Sequence, residues 1–546
     1  MPAREDGEIG SAQAIRASMH DWFLSRSERG NPATSLDDRR AAGQAFSSGN
    51  LVRPLIHGAT YFAELTGAVR AMHTGDLLLF VDWRGDPDEQ LVADPGSTVG
   101  ALLRDAARRG VDVRGLVWRS HLDRFAFSAR ENRHLGEEID AAGGQCLLDM
   151  RVRFGGSHHQ KFVVLRHPGR PEQDVAFVGG IDLCHSRRDN ADHAGDRQRQ
   201  PMAAVYGDRP PWHDIQVAIT GPAVADVETV FRERWDDRQP LSRNPVHLIA
   251  DRVRHDDIGK RKLPGQLPDP PEAGPHSVQL LRTYPRRRGG YPFAPDGERS
   301  VARGYRKAFA QARDLIYLED QYLWSITAAR AIAAALRARP RLHFVAVLPL
   351  YPDQDGRWSM PPNLLARAKA LDLVRNAAPE RVGVYGLENA AGTPIYVHAK
   401  ACVIDDVWAG VGSDNVNRRS WTHDSELSVA VWDDTLADPS GTGADPSRLY
   451  PQQLRLTLAR EHLARADGDD ADLRQAAPTF RAFRDSANAL NAWVHGGRAG
   501  ARPPGQLRPI EDPGLSWRTK LWATPLYRTV FDPDGRPRRM RRADEY

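Results

Sequence analysis

The residues most able to do chemistry fall into two copies of one pattern, a histidine and a lysine two positions apart. One copy, HHQKFVVL, holds His159 and Lys161; the other, YVHAKACVI, holds His398 and Lys400. Each sits in a run of alternating apolar character, which reads as a strand on which residues i and i+2 share a face. An imidazole and an ammonium group therefore project together in each copy. Downstream, the first copy continues into VAFVGGIDL, with Gly179, Gly180 and Asp182, and the second into AGVGSDNVNRRS, with Gly412, Ser413, Asn415 and Asn417. Small residues allow close backbone approach, and an asparagine amide can donate to an oxyanion. Two such sets facing each other would surround a phosphodiester with positive charge and hydrogen-bond donors, as a pentacoordinate phosphoryl transition state requires. That neutralisation needs no metal, and the reading calls for no cofactor.

The surrounding elements repeat as well. Before the first motif come a helical pattern from Gly58 to His73, an apolar strand from Leu77 to Trp83, a helical segment near Val99 to Arg109 and a strand from Val111 to Trp118. Before the second come VARGYRKAFAQAR, LIYLEDQYLW, AARAIAAALRAR and the strand Leu342 to Leu350 in the same order. A repeat of this size implies duplication of a whole half. Short apolar strands alternating with amphipathic helices predict an α/β fold: two pseudo-symmetric α/β sandwich halves with mixed central sheets. The expected divisions are an N-terminal extension over 1–48, a first half over 49–237, a proline-rich linker over 238–277, a second half over 278–434 and a C-terminal extension over 435–546. That last stretch reads as loop-rich, with DPSGTGADPS, one helical segment from Gln452 to Ala466 and a solvated basic tail.

Bulk properties narrow the function classes. The 75 basic and 71 acidic residues leave a formal charge of +4, which does not predict a duplex-binding surface, so nucleic acid is not the expected partner. Three scattered cysteines, Cys146, Cys184 and Cys402, suggest neither a disulfide framework nor a zinc knuckle. There is no Walker A loop, no G-x-G-x-x-G after a strand and no G-x-S-x-G elbow. No secretory signal or apolar run of roughly 18 to 20 residues is seen, so the expected setting is cytoplasmic or peripheral to a membrane, with the chain as a monomer.

The paired segments resemble the H-x-K-x4-D motifs of the phospholipase D superfamily. VAFVGGIDL, PWHDIQVAITGPAV and IYLEDQYLW are similar to phosphatidylcholine-hydrolysing members in particular, and the likeness runs from Gly49 to Trp432. The resemblance implies hydrolysis of a phospholipid at a membrane surface to phosphatidic acid and a free alcohol through a phosphohistidine, with water or another alcohol as acceptor. It implies that His159 is the nucleophile and His398 the general acid and base. It pairs Asp214 with His159 and Glu426 with His398 as orienting carboxylates, and assigns Lys161 and Lys400 to the nonbridging oxygens. Gly180, Asp182, Ser413, Asn415 and Asn417 are expected around the phosphate, and Asp405 is the motif aspartate. A cardiolipin synthase-like phosphatidyltransferase, a nuclease of the same superfamily and a catalytically inactive lipid-binding module are the alternatives.

The first copy departs from the pattern at Arg166, where the motif aspartate belongs; the nearest acidic residues are Glu172 and Asp174, in a hairpin about six residues longer. An aspartate at a tight turn caps backbone N–H groups, which a longer loop can do without, so activity is expected to survive. His57, His73 and His343 read as packed histidines. His158, His185 and His193 match no ligand spacing and read as loop or supporting residues. Tyr322, Trp324, Trp358 and Met360, at predicted strand ends, read as hydrophobic packing.

Overall fold

The alternating apolar segments fold as strands, and the two halves build the same sheet twice. In the first half these are β1 (Ser47–Ile56), β2 (Leu77–Asp82), β3 (Asp112–Trp118), β4 (Gln145–Asp149), β5 (Phe162–Arg166), β6 (Val175–Gly179), β7 (Trp212–His213) and β8 (Ile215–Thr220). Their spatial order is β1-β8-β6-β5-β2-β3-β4, with β2, β3 and β4 parallel and the other neighbours antiparallel. The second half contributes β9 (His276–Tyr284), β10 (Glu298–Arg299), β11 (Leu315–Glu319), β12 (His343–Val347), β13 (Val382–Glu388), β14 (Pro394–Val397), β15 (Ala401–Ile404), β16 (Trp408–Gly412) and β17 (Glu426–Asp433). The order β9-β17-β16-β15-β11-β12-β13 reproduces the first sheet strand for strand, including its parallel trio. The sheets meet where β1 pairs with β9, Ser47 opposite Val278 and Asn50 opposite His276. The fold is thus α/β with two mixed sheets. The computed structural model describes residues 19–41, 43–120, 129–245, 247, 249, 259–438 and 446–546.

Alternation along each strand sends its side chains into two cores. On β2, Leu77, Leu79 and Val81 enter the core between the sheets, whereas Leu78 and Phe80 meet the outer helices Gly58–Arg70, Val99–Arg108 and Ala129–Ala141. On β12, Val345 and Val347 face inward while Phe344 and Ala346 meet the helices on the opposite outer face. Each fully buried Leu or Phe contributes about 1.5–3 kcal/mol, so burying every residue of β2 holds the sheet that carries the motif strands. Helices Ala223–Trp235 and Leu449–Leu463 complete the middle layer.

Several segments differ from the sequence reading. The strand expected over LIYLEDQYLW stops at Glu319, because the Asp320 carboxylate accepts from the N–H groups of Tyr322 and Leu323 and turns the chain. The C-terminal stretch contains the 20-residue helix Ala476–His495, which buries Phe480, Phe483, Ala487 and Leu490, and β18 (Leu507–Pro509), which extends the second sheet beside β13. In the proline-rich segment, Leu263 is buried and the Arg261 N–H donates to Gln145 Oε1. Before the first half, Trp22, Phe23 and Phe46 pack into the core of the second. The chain start over 1–18, part of the linker at 250–258 and most of DPSGTGADPS, at 439–445, lie outside the described residues. Among the described residues no helix is long and apolar enough to cross a membrane.

Candidate active site

The H-x-K residues lie just before β5 and β15 rather than on strands as expected, and the segments that carry them are held by backbone bonds that cross between halves. β14, which leads into His398, runs parallel to β7 of the first half, and the N–H groups of His398 and Ala399 donate to the His213 carbonyl at 2.7 and 3.1 Å. In the equivalent place, His158 bridges to Ser425 and the His159 N–H donates to the Ser425 carbonyl at 2.9 Å. The residue after His213 is Asp214, and the residue after Ser425 is Glu426. Each histidine therefore meets the carboxylate of the opposite half. His398 Nδ1 lies 2.6 Å from Asp214 Oδ2, and His159 Nδ1 lies 3.0 and 3.1 Å from the two oxygens of Glu426. This reverses the pairing expected from the resemblance, which matched each histidine to the carboxylate following it within its own half. The residue before each carboxylate, His213 at the end of β7 and Ser425 in an isolated bridge, pairs with the segment leading into the histidine of the other half, and that pairing sets the partner.

An Nδ1–H donating to a carboxylate fixes the tautomer and leaves Nε2 free to react. Both histidines are held well below the ordinary imidazole range, first by burial and then by the ammonium groups around them. Each is within electrostatic reach of both Lys161 and Lys400, so the two copies form one charged centre. Lys161 Nζ donates to the His159 carbonyl at 2.8 Å and pairs with Asp182 at 3.4 Å. Lys400 Nζ donates to the His398 carbonyl and lies 3.4 Å from Gln321 Oε1; burial pushes it down to about 8. Burial raises Asp214 and pushes Glu426 up to about 8, against the pull of nearby lysines. Asp182 is also buried, but Lys161 and Arg187 outweigh this and hold it below the carboxylate range. Its neighbour Asp82 is pushed well above that range by burial and by the Asp182 charge, so this acid pair retains a proton.

The remaining predicted residues take different positions. A side chain at Gly180 would bring its Cβ to 2.3 Å from Asp214 Oδ1 and 3.3 Å from Lys400 Cδ, so only glycine admits both. Ser413 Oγ donates to Glu426 Oε2 at 2.6 Å, which commits its single proton to holding that carboxylate. Asn415 is buried, with its amide oxygen unpartnered. Asn417 Oδ1 accepts from the Ser420 N–H at 2.7 Å and caps the short helix Arg418–Thr422. Asp405 accepts from the N–H groups of Arg313, Asp314 and Leu315, tying the β15–β16 hairpin to the start of β11. Arg166, its counterpart by position, is fully buried between Asp174 at 3.1 Å and Glu228 at 3.3 Å, an ion-paired fastening of another kind.

Sequence reasoning did not single out several neighbours. Trp83 stands edge-on to His159 at 6.1 Å, and Trp212 lies 5.0 Å from His398 with the Arg187 guanidinium 4.0 Å over its ring. Asp82, the last residue of β2, and Asp320, just after the equivalent β11, make the same bond, accepting from the N–H groups of Leu183 and Val416, a symmetry visible in the repeat. Of the histidines read as packed, His73 is exposed and His343 half-buried. His57 instead gathers with His193, His213 and Glu461, a cluster assembled from four distant segments that no local spacing reveals.

Residues 72–285 match the family profile described as Phospholipase D, and residues 307–440 match the one described as Cardiolipin synthase, PLD-like domain. Phospholipase D alpha 2 of Oryza sativa subsp. japonica is 27% identical, over 71% of this chain and 62% of its own. Phospholipase D1 of Saccharomyces cerevisiae is 24% identical, over 77% of this chain and 29% of its own. The chain therefore spans less than two thirds of the length of these curated relatives. The crystal structure of phosphatidylserine synthase from Haemophilus influenzae superposes with a TM-score of 0.52 at 14% identity, covering 87% of this chain and 97% of that one, and so shares the fold. With one H-x-K copy inside each of the two profile matches, the chain belongs to the phospholipase D superfamily.

Proposed function

We propose that the chain is a phospholipase D that cleaves phosphatidylcholine-like lipids to phosphatidic acid and the free alcohol. The observation that carries this reading is the crossed pair of carboxylate-oriented imidazoles flanked by two buried lysines. His159 Nε2 attacks phosphorus and the bond to the headgroup oxygen breaks; His398, which enters this step protonated at Nε2 beside the bound phosphate anion, delivers that proton to the departing alkoxide. His398 then takes a proton from water, whose oxygen attacks phosphorus and returns the electron pair of the P–N bond to His159. An alcohol in place of water gives the exchanged lipid. Lys161 and Lys400 neutralise the nonbridging oxygens without moving during the reaction, which is where electrostatic catalysis gains most.

A lipid is favoured over a nucleic acid by the surface next to Lys400. Gln321, Tyr322, Trp324, Tyr351 and Tyr396 line a narrow crevice there, and Arg367, the one guanidinium among the described residues lining it, is committed to the carbonyls of Pro349 and Leu350. Beyond it Trp358, largely exposed, packs 5.3 Å from Trp522. Purified protein given phosphatidylcholine and ethanol should form phosphatidylethanol, and His159→Ala and His398→Ala should each lower turnover by about 10^4-fold or more. Full activity in either variant contradicts the paired-histidine mechanism. The profile matched by the second half favours a phosphatidyltransferase as the second reading; faster turnover of phosphatidylglycerol than of phosphatidylcholine would select it. Retained vesicle binding with no phosphate trapped on His159 would select an inactive lipid-binding module.

A further inference from the structure

Beside Asp214, which follows His213 and whose carbonyl accepts from the His57 N–H, the structure gathers His57, His193, His213 and Glu461. One ligand atom from each lies within 4.8 Å of every other. Glu461 Oε2 is 2.9 Å from His57 Nε2, and its Oε1 is 3.1 Å from His193 Nε2 and 3.7 Å from His213 Nδ1. These separations straddle about 3.3 Å, the edge of a tetrahedron with metal–nitrogen bonds of about 2.0 Å.

The far sides of the rings show which nitrogens face the centre. His213 Nε2 lies 2.6 Å from Glu319 Oε2, and His193 Nδ1 lies 3.2 Å from the Trp212 carbonyl; both partners only accept, so both nitrogens carry protons. In the neutral rings, His193 Nε2 and His213 Nδ1 are then bare lone pairs aimed at one carboxylate. His213 Nδ1 is fully buried and has no hydrogen-bond partner. Lone pairs facing a carboxylate repel unless a metal cation stands among them or the rings take up second protons. A carboxylate or carbonyl accepting the outer N–H of an inner histidine is also the usual support of a metal ligand. His57 and His193 occupy positive φ, at 68° and 49°, a backbone conformation held by its surroundings rather than by preference.

We propose that these four side chains form a structural site for one divalent transition ion of the zinc class, with three nitrogens and one carboxylate in a closed tetrahedral set. The sequence reading expected no metal, because the ligands come from positions 57, 193, 213 and 461 and share no motif spacing. The site ties the helix Leu449–Leu463 to the first half beside the catalytic carboxylate. His213 precedes Asp214 and its carbonyl holds His398, while the His57 N–H donates to the Asp214 carbonyl at 2.9 Å. The ion therefore fixes the segment that aims Asp214 and takes no part in the phosphoryl step.

The whole 546-residue chain, purified without chelator, should carry about one equivalent of bound metal, and X-ray absorption at the zinc edge should show four nitrogen or oxygen neighbours near 2.0 Å. After exchange, Co2+ should give the intense visible bands of a tetrahedral site. His193→Ala and Glu461→Gln should each lose the metal and the bands, with folding checked by circular dichroism. Should the variants not fold, the absorption measurement on the unaltered protein decides by itself. Absence of metal, no uptake of Zn2+ or Co2+ at equimolar concentration, or full metal content in both folded variants overturns the proposal; the first two outcomes leave a protonated histidine network in its place.

Discussion

The two halves agree strand for strand yet fasten their motif hairpins differently. In the second, β15 and β16 are joined by a tight turn in which Asp405 and Asp406 both take positive φ, and the Asp405 carboxylate holds three backbone N–H groups at the head of β11. In the first, the loop over residues 167–174 is longer, and Arg166 fills the same place with a guanidinium clamped by Asp174 and Glu228. The His, the Lys and the crossed carboxylate are kept in both. Under the proposed mechanism the difference separates two jobs within one motif: histidine and lysine face the reaction, whereas the aspartate position is a fastening that an ion pair also satisfies.

The largest way to break the comparison lies in the crossing. Asp214→Asn and Glu426→Gln should each lower kcat/KM by about 10^3-fold, through loss of the tautomer that exposes Nε2. Histidine 15N spectra should show Asp214→Asn altering the His398 ring while leaving His159 as it was, and Glu426→Gln doing the reverse; the opposite pattern restores pairing within each half. A smaller effect follows from the halves having unequal carboxylates. Glu426 stands at about 8, so below this pH the His159–Glu426 pair holds one proton more than the nucleophilic form. kcat/KM should fall roughly tenfold per pH unit below that point, and Glu426→Gln should flatten the limb. Stability has the opposite sign. Between the ordinary 4.5 and about 8 the folded state keeps a proton that the unfolded chain has released, so the contribution of Glu426 is lost as pH rises through that window. Urea midpoints across the range check this slope, which should vanish in Glu426→Gln.

The smallest effects on catalysis belong to the fastenings. Arg166→Asp restores the motif letter but sets a third carboxylate against Asp174 and Glu228, and should cost about 3–5 kcal/mol with no gain in kcat. Asp405→Ala, which frees three backbone donors, should cost about 1–3 kcal/mol. A rise in kcat for Arg166→Asp without loss of stability would show that the aspartate serves the chemistry after all.

Much of this was legible in the sequence where the signal is local. The alternating strands, the helices between them and the H-x-K pairs follow from spacings of a few residues, and the duplication shows which pieces correspond. The crossed carboxylates were hidden, because Asp214 and Glu426 each follow a motif of their own half and only the pairing of β7 with β14, and of Ser425 with His158, assigns the partner. The helix Ala476–His495 escaped notice among prolines and polar residues, although Phe480, Phe483, Ala487 and Leu490 mark one helical face. The metal-ligand cluster was invisible for the same reason as the crossing: Glu461 comes from an extension whose docking no local pattern encodes.

The central claim is that imidazoles from both halves hold one phosphorus centre. Titration of 15N-histidine-labelled protein with vanadate, a mimic of the pentacoordinate phosphoryl group, tests it most directly. The account predicts that a single equivalent shifts the Nε2 resonances of His159 and His398 together, with one shared midpoint. Response of only one ring, or separate midpoints for the two, would contradict it.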